Sequence, residues 1–290
     1  MTTAPSSSFL GRHEFLIRRL HSLSGLIPVG AYMVVHLLTN ASILNSYSSF
    51  QKNVYTIHSL GVVLPIVEWA FIFLPILFHA IFGVVIIYGG SSNWGTYRYG
   101  SNFRYMMQRL TGMIAFVFIV WHVFHLHGWF HFEAWLDTAK QYFGANFKPY
   151  NASSTLGAAM QPGGIGNLLV PAAYAIGILA CVYHLANGIW TMGITWGAWT
   201  TPKAQQRASK ACAAFGIALA VVGLSALGGA ANVDVDAAKI EEDRMYEEQV
   251  KAGLLKDDPH KRTDGEHDQK PTPKEEGPDK EAPDQEKPSE

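Results

Sequence analysis

Five stretches of the sequence are strongly apolar, nearly free of charge and 20 or more residues long: Leu20 to Asn40, Val63 to Gly89, Leu110 to Trp129, Ile165 to Thr195 and Ala208 to Ala230. About 20 such residues in a helix are enough to cross a hydrocarbon core of roughly 30 Å. The sequence therefore predicts an all-α, integral membrane five-helix bundle. A soluble bundle would need helices with an apolar stripe and a charged outer face, and these runs have no charged face. The first run is not a cleaved signal peptide, because it starts late, lacks an A-x-A-like site and is followed by four more spans. The fourth is too long for one straight crossing, so it is expected to begin as a surface turn near QPGGIGN or to project into the cytoplasm.

Charge divides the chain into a short N-terminal segment (1–19), a transmembrane domain (20–232) and a tail (233–290). Up to Asn232 there are twelve Lys or Arg and four acids, Glu14, Glu68, Glu133 and Asp137; from Val233 onward there are ten basic and nineteen acidic residues. The tail is rich in Pro, Glu, Asp and Lys and poor in large apolar side chains, which predicts that it is largely disordered. Within it, AAKIEEDRMYEEQVKAGLL is able to form a short helix next to the membrane.

Orientation follows from the basic residues. Arg12, Arg18, Arg19, Arg98, Arg104, Arg109, Lys203, Arg207 and Lys210 fall on one side of the spans, and only Lys52, Lys140 and Lys148 on the other. Nine against three places the N-terminus in the cytoplasm and, after five crossings, the C-terminus outside a cell inner (cytoplasmic) membrane. The two cysteines, Cys181 and Cys212, lie in apolar spans and are not expected to form a structural disulfide. With no C-x-x-C-H any haem would be held non-covalently, and two cysteines are too few for an ordinary four-thiolate iron–sulfur cluster.

Ionisable residues at membrane depth mark function by default. His36, His79, His122 and His184 lie one on each of the first four spans. His36 is seventeen residues past Arg19 and His122 thirteen past Arg109, so both lie in the outer half, roughly 20–25 Å from the inner boundary. His79 and His184 lie ten to twelve residues before Gly89 and Thr195, nearer the cytoplasm at roughly 15–18 Å. Two histidines from different helices at one depth can ligate a haem iron from both faces, and two such pairs make a chain of two b-type haems. The plainer alternative is that the four only hydrogen-bond between helices. Glycines Gly25, Gly83, Gly112 and Gly188 would let a macrocycle or a helix approach closely. Arg18, Arg19, Arg104 and Arg109 could pair with propionates, although the positive-inside rule alone would place them there. His125, His127 and His131 read as interfacial, with Trp121, Trp129 and Trp135, and His21 as a cytoplasmic-end residue. Glu68, near the outer boundary, is assigned to quinone or proton handling, against a plain interfacial role.

The segments RRLHSLSGLIPVGAYMVVH, PILFHAIFG, QRLTGMIAFVFIVWH and YHLANGIWTMGITWG, with the TP that follows, together resemble the cytochrome b membrane anchor of the succinate dehydrogenase and fumarate reductase family, in its single-chain, five-helix, two-haem form. The resemblance covers about Arg12 to Ala230 and leaves out the tail. It implies that His36 and His122 ligate a distal haem b and His79 and His184 a proximal one, the pairing that depth also gives. It further implies a flavoprotein subunit that interconverts succinate and fumarate and an iron–sulfur subunit, both on the cytoplasmic face, with menaquinone or another quinone near the outer side. Expected partners are those subunits, quinone and membrane lipid, not nucleic acid, and the chain by itself is not expected to turn over succinate. Fumarate-reducing relatives can carry a carboxylate close to the fourth-helix histidine, whereas here Cys181, Val182 and Tyr183 precede His184. Other readings are a dihaem cytochrome b of a hydrogenase or formate dehydrogenase, and a transporter with a histidine proton relay.

Overall fold

The computed structural model describes residues 9–90, 95, 99–130, 132–258 and 261–263. The first crossing consists of α1 (Phe9–Leu26) and α2 (Val29–Ala41). They part at Pro28, which has no N–H to give and whose ring does not fit a helix interior. After it comes α3 (Tyr47–His58), started by Ser46, whose hydroxyl accepts from the Ser49 N–H at 3.0 Å. The second crossing is α4 (Leu64–Glu68), a π-helical turn Trp69–Phe73, and α5 (Leu74–Tyr88). In that turn the Leu74 N–H reaches back to the Trp69 carbonyl, immediately before Pro75, which has no donor.

The third crossing, α6 (Gly100–His127), begins ten residues before the apolar run and ends at Gly128 in the left-handed region, φ 82°. Its last carbonyls are satisfied by a following loop: the N–H groups of Ala145, Asn146 and Phe147 donate to Phe124, His125 and Leu126 at 3.0–3.1 Å. Two short helices, the amphipathic α7 (Glu133–Gln141) and the almost wholly buried α8 (Ala152–Met160), lead to α9 (Gly166–Thr195), the fourth crossing. The turn expected at QPGGIGN is there, with Gly163 and Gly164 at positive φ, and the whole run after it remains one helix of 30 residues. The fifth crossing, α10 (Pro202–Ala231), has Pro202 in its first turn and Thr201 as its cap. The tail then forms α11 (Val235–Lys251), started by Asp234, which accepts from the Ala237 N–H at 3.0 Å. This helix coincides with the membrane-adjacent segment anticipated from sequence; the rest of the expected disorder falls largely on 264–290, outside the described residues.

Among the described residues five helical segments are long and apolar enough to cross a membrane, and the chain is a multi-pass membrane protein. α9 is central, packed between α6 and α10, while α2 lies along α10 and α1 contacts both α5 and α9. The second crossing is peripheral, with no residue of its most apolar window buried. Between it and α1, α6 and α9 lies a cavity of about 1200 Å³.

On the side opposite the N-terminus, α3, α8 and α11 pack into a cap. Its core, with Phe50, Val54, Leu156, Met160 and Ala238, is continuous with Tyr174 on α9 and Ala230 on α10. The first three N–H groups of α8 would otherwise be orphaned donors in this core. Gln51 accepts from Ala152 at 2.9 Å, and Glu242 of α11 accepts from Ser153 at 2.5 Å and Ser154 at 3.3 Å. Gln51 and Glu242 are both fully buried, so the tail supplies part of the closure of a helix on another loop.

Candidate functional site: two histidine pairs, one of them lining a cavity

The structure brings the four membrane histidines together as two couples. The rings of His79 (α5) and His184 (α9) have centres 6.0 Å apart, and those of His36 (α2) and His122 (α6) 5.8 Å apart. An imidazole coordinates a first-row metal at ~2.0–2.1 Å, which puts its ring centre roughly 3 Å from the ion and two rings on one ion about 6 Å apart. Among the described residues there is no group of three or more His, Cys, Asp or Glu side chains placed to hold a metal. Each couple can thus offer two ligands and no more, and an ion held there needs the rest of its coordination sphere from a group such as a tetrapyrrole.

The inner couple, His79 and His184, is held by backbone. His79 Nδ1 donates to the His21 carbonyl at 2.9 Å, and His184 Nδ1 to the Gln108 carbonyl at 3.0 Å. Both carbonyls lie four residues before a glycine, Gly25 on α1 and Gly112 on α6. The bare glycines open the approach: a Cβ on Gly25 would stand 2.6 Å from His79 Nδ1, and one on Gly112 2.8 Å from His184 Cε1. With the ring proton fixed on Nδ1, Nε2 keeps its lone pair for a ligand. The His21 ring, expected only to mark the cytoplasmic end, stacks on His79 at 4.0 Å between centres and 13° between planes.

In the outer couple, His122 is held by side chains. Tyr174 on α9 places its hydroxyl 3.3 Å from His122 Nδ1 and 2.8 Å from His125 Nδ1. Phe118 stacks on His122 with 5.6 Å between centres, and Trp121 on His125 with 5.0 Å. His125 is 4% exposed, with the loop that closes the end of α6 bonded to its carbonyl and the Trp121 ring stacked on its own. His127 lines the cavity, and His131 lies outside the described residues.

The cavity reaches the inner couple; His36 and His122 are not among the residues that line it. His79, His184, Gly25 and Gly112 line its wall, Arg18, Arg19 and Arg109 its basic end, and Glu68, Trp69 and Trp129 its other end. Arg104 does not reach it: it donates to Asn187 and Ser209 at 2.9 Å each and lies over the Trp190 ring at 3.6 Å, a packing role. Arg109 also donates to the Ile87 and Gly90 carbonyls and to the Tyr105 hydroxyl. Glu68 is half-buried at the far mouth.

No family model matches the chain. It is similar to the succinate dehydrogenase cytochrome b558 subunit of Bacillus subtilis (strain 168), with 31% identity over 221 residues, 75% of this chain and 97% of that protein.

Proposed function

The chain belongs to the family of succinate dehydrogenase cytochrome b subunits, and from that premise we propose that it is the dihaem membrane anchor of a succinate:quinone oxidoreductase. On this reading His79 with His184, and His36 with His122, each hold one haem b. The observation that carries it is the spacing of the two couples, 6.0 and 5.8 Å between ring centres, with the inner Nδ1 protons turned toward backbone carbonyls. A haem b between each couple supplies a one-electron carrier, and two of them connect the two membrane faces.

The chain's own groups do the rest. The His21 and Gln108 carbonyls hold the inner rings in one tautomer and present Nε2 to the metal. Arg18, Arg19 and Arg109 give the basic end of the cavity cations for propionates, and the basic loops around them form the face on which an iron–sulfur subunit and its flavoprotein dock. That face is cytoplasmic on the positive-inside count, which leaves the cap and the C-terminus outside. Glu68, at the cap-side mouth, takes or gives the protons that accompany quinone chemistry, with menaquinone the expected quinone. Succinate and fumarate are handled by the flavoprotein, not by this chain.

Reduced-minus-oxidised spectra of membranes test the reading. Wild type should show two b-type centres, and His122→Ala or His36→Ala should lose the same one and keep the other. Retention of both in either variant refutes the pairing. Extraction in mild detergent should bring down a succinate-oxidising flavoprotein with the chain.

A further inference from the structure

Resting on the reading of His122 as a haem ligand, we propose that Tyr174 and His125 are positioning residues for that ligand, joined to it in a hydrogen-bond chain whose proton order is fixed. A phenol has one proton to donate, and here its oxygen faces two imidazole nitrogens, His122 Nδ1 at 3.3 Å and His125 Nδ1 at 2.8 Å. Only one of the two can be its acceptor, so the other must be an N–H. If His122 gives Nε2 to iron, its single ring proton is on Nδ1 and points to the Tyr174 oxygen. The phenol proton then goes to His125 Nδ1, and His125 carries its own proton on Nε2.

The surroundings hold this order in place. Tyr174 is 6% and His125 4% exposed. The Tyr174 ring meets Phe118 and Trp121 edge-on at 5.4 and 5.1 Å, and those two rings are the ones stacked on His122 and His125. At its backbone, His125 is pinned by Asn146, whose N–H and Nδ2 both donate to its carbonyl, at 3.1 and 2.8 Å. The two couples thus differ in kind. The inner ligands donate to carbonyls, which can only accept, whereas the outer ligand donates to a hydroxyl whose strength as an acceptor depends on what its own proton meets.

Ferric iron draws more electron density from the ring than ferrous iron, which makes the ligand N–H a better donor in the oxidised state. Removing its acceptor should therefore raise the midpoint of the outer centre. Redox titration of the membrane-embedded complex reads this directly. Tyr174→Phe keeps the ring and deletes the acceptor; both haems should remain, with the outer reduction equilibrium shifted by up to about tenfold, ~59 mV for one electron, and the inner midpoint unmoved. His125→Phe keeps a ring against Trp121 but takes away the phenol's acceptor, and should give a smaller shift of the same sign on the same centre. His125→Gln restores an acceptor and should return the midpoint to the wild-type value.

An unchanged outer midpoint in Tyr174→Phe, or a shift confined to the inner centre, overturns the proposal. If Tyr174→Phe does not assemble, the contrast between His125→Phe and His125→Gln decides by the same criterion. Two haems still present in His122→Ala would instead defeat the ligand reading on which the proposal rests.

Discussion

Gly25→Ala tests the way α1 holds His79, the proposed inner ligand. The new Cβ would stand 2.3 Å from His79 Cε1 and 2.6 Å from its Nδ1, whereas ordinary contact begins at 3.4 Å, so the imidazole has to withdraw by about 1.1 Å. If it retreats along its bond to the His21 carbonyl, now 2.9 Å, the separation becomes about 4.0 Å, which is beyond hydrogen-bond reach. Losing the outer-shell partner of a metal-ligating histidine costs ~10–100-fold in metal affinity, about 1.4–2.8 kcal/mol. We expect haem at the His79/His184 couple to be lost ~10–100-fold faster from the detergent-solubilised complex to excess apomyoglobin, with the outer haem leaving at the wild-type rate. Gly83→Ala is the graded control, because its Cβ would meet only His21 Cε1, at 3.2 Å, and should change little. An unchanged rate for both haems in Gly25→Ala would show that the glycine is not what admits His79 to the carbonyl, and Gly112 would lose the same role toward His184.

Two further outcomes are expected. Glu68→Gln should leave the haem spectrum and subunit assembly intact while lowering electron transfer to added quinone by ~10²-fold, the usual worth of a positioned proton donor or acceptor; an unaltered quinone-linked rate removes Glu68 from the chemistry. In the cap, burial and the neighbouring Lys261 ammonium lower the His58 imidazole from 6.5 to about 4. The folded state thus resists protonation that the unfolded chain accepts, and His58's contribution to cap stability is complete above pH 6.5 and is lost as pH falls toward 4. Protease cleavage of the tail should accelerate over that window, and His58→Gln should flatten the dependence.

The crossings were legible because lipid demands unbroken apolar runs, and that demand leaves a mark on contiguous sequence. The same signal says nothing about where a helix begins in water: α6 starts at Gly100 through a segment carrying Arg104 and Arg109, and the break at Pro28 sits inside a uniformly apolar run. The meeting of His36 with His122 and of His79 with His184 could be anticipated, since one histidine per helix and a fixed rise per residue determine depth. Their supports could not. The acceptors for the inner couple are main-chain carbonyls, which have no letter in the sequence; only the glycines four residues later betray them, and glycine is also common wherever membrane helices pack. Tyr174 reaches His122 from ten residues before His184, on a turn of α9 with nothing to distinguish it. The cap escaped sequence reading for another reason: Gln51, Asn151 and Glu242 come from three separate segments and share no period, so only the folded chain brings them together.

The bond between Ser153 and Glu242 also sets an order of events. Its two ends are 89 residues apart, and α9 and α10 both lie between them. A chain made from its N-terminus exposes the first turn of α8 before the carboxylate that will close it exists. The Glu242 side of the cap can therefore shut only after the last two crossings have been laid down, whereas the bond from Ala152 to Gln51 joins segments that both precede them. Full closure of this small structure comes only with the helix that follows the whole bundle.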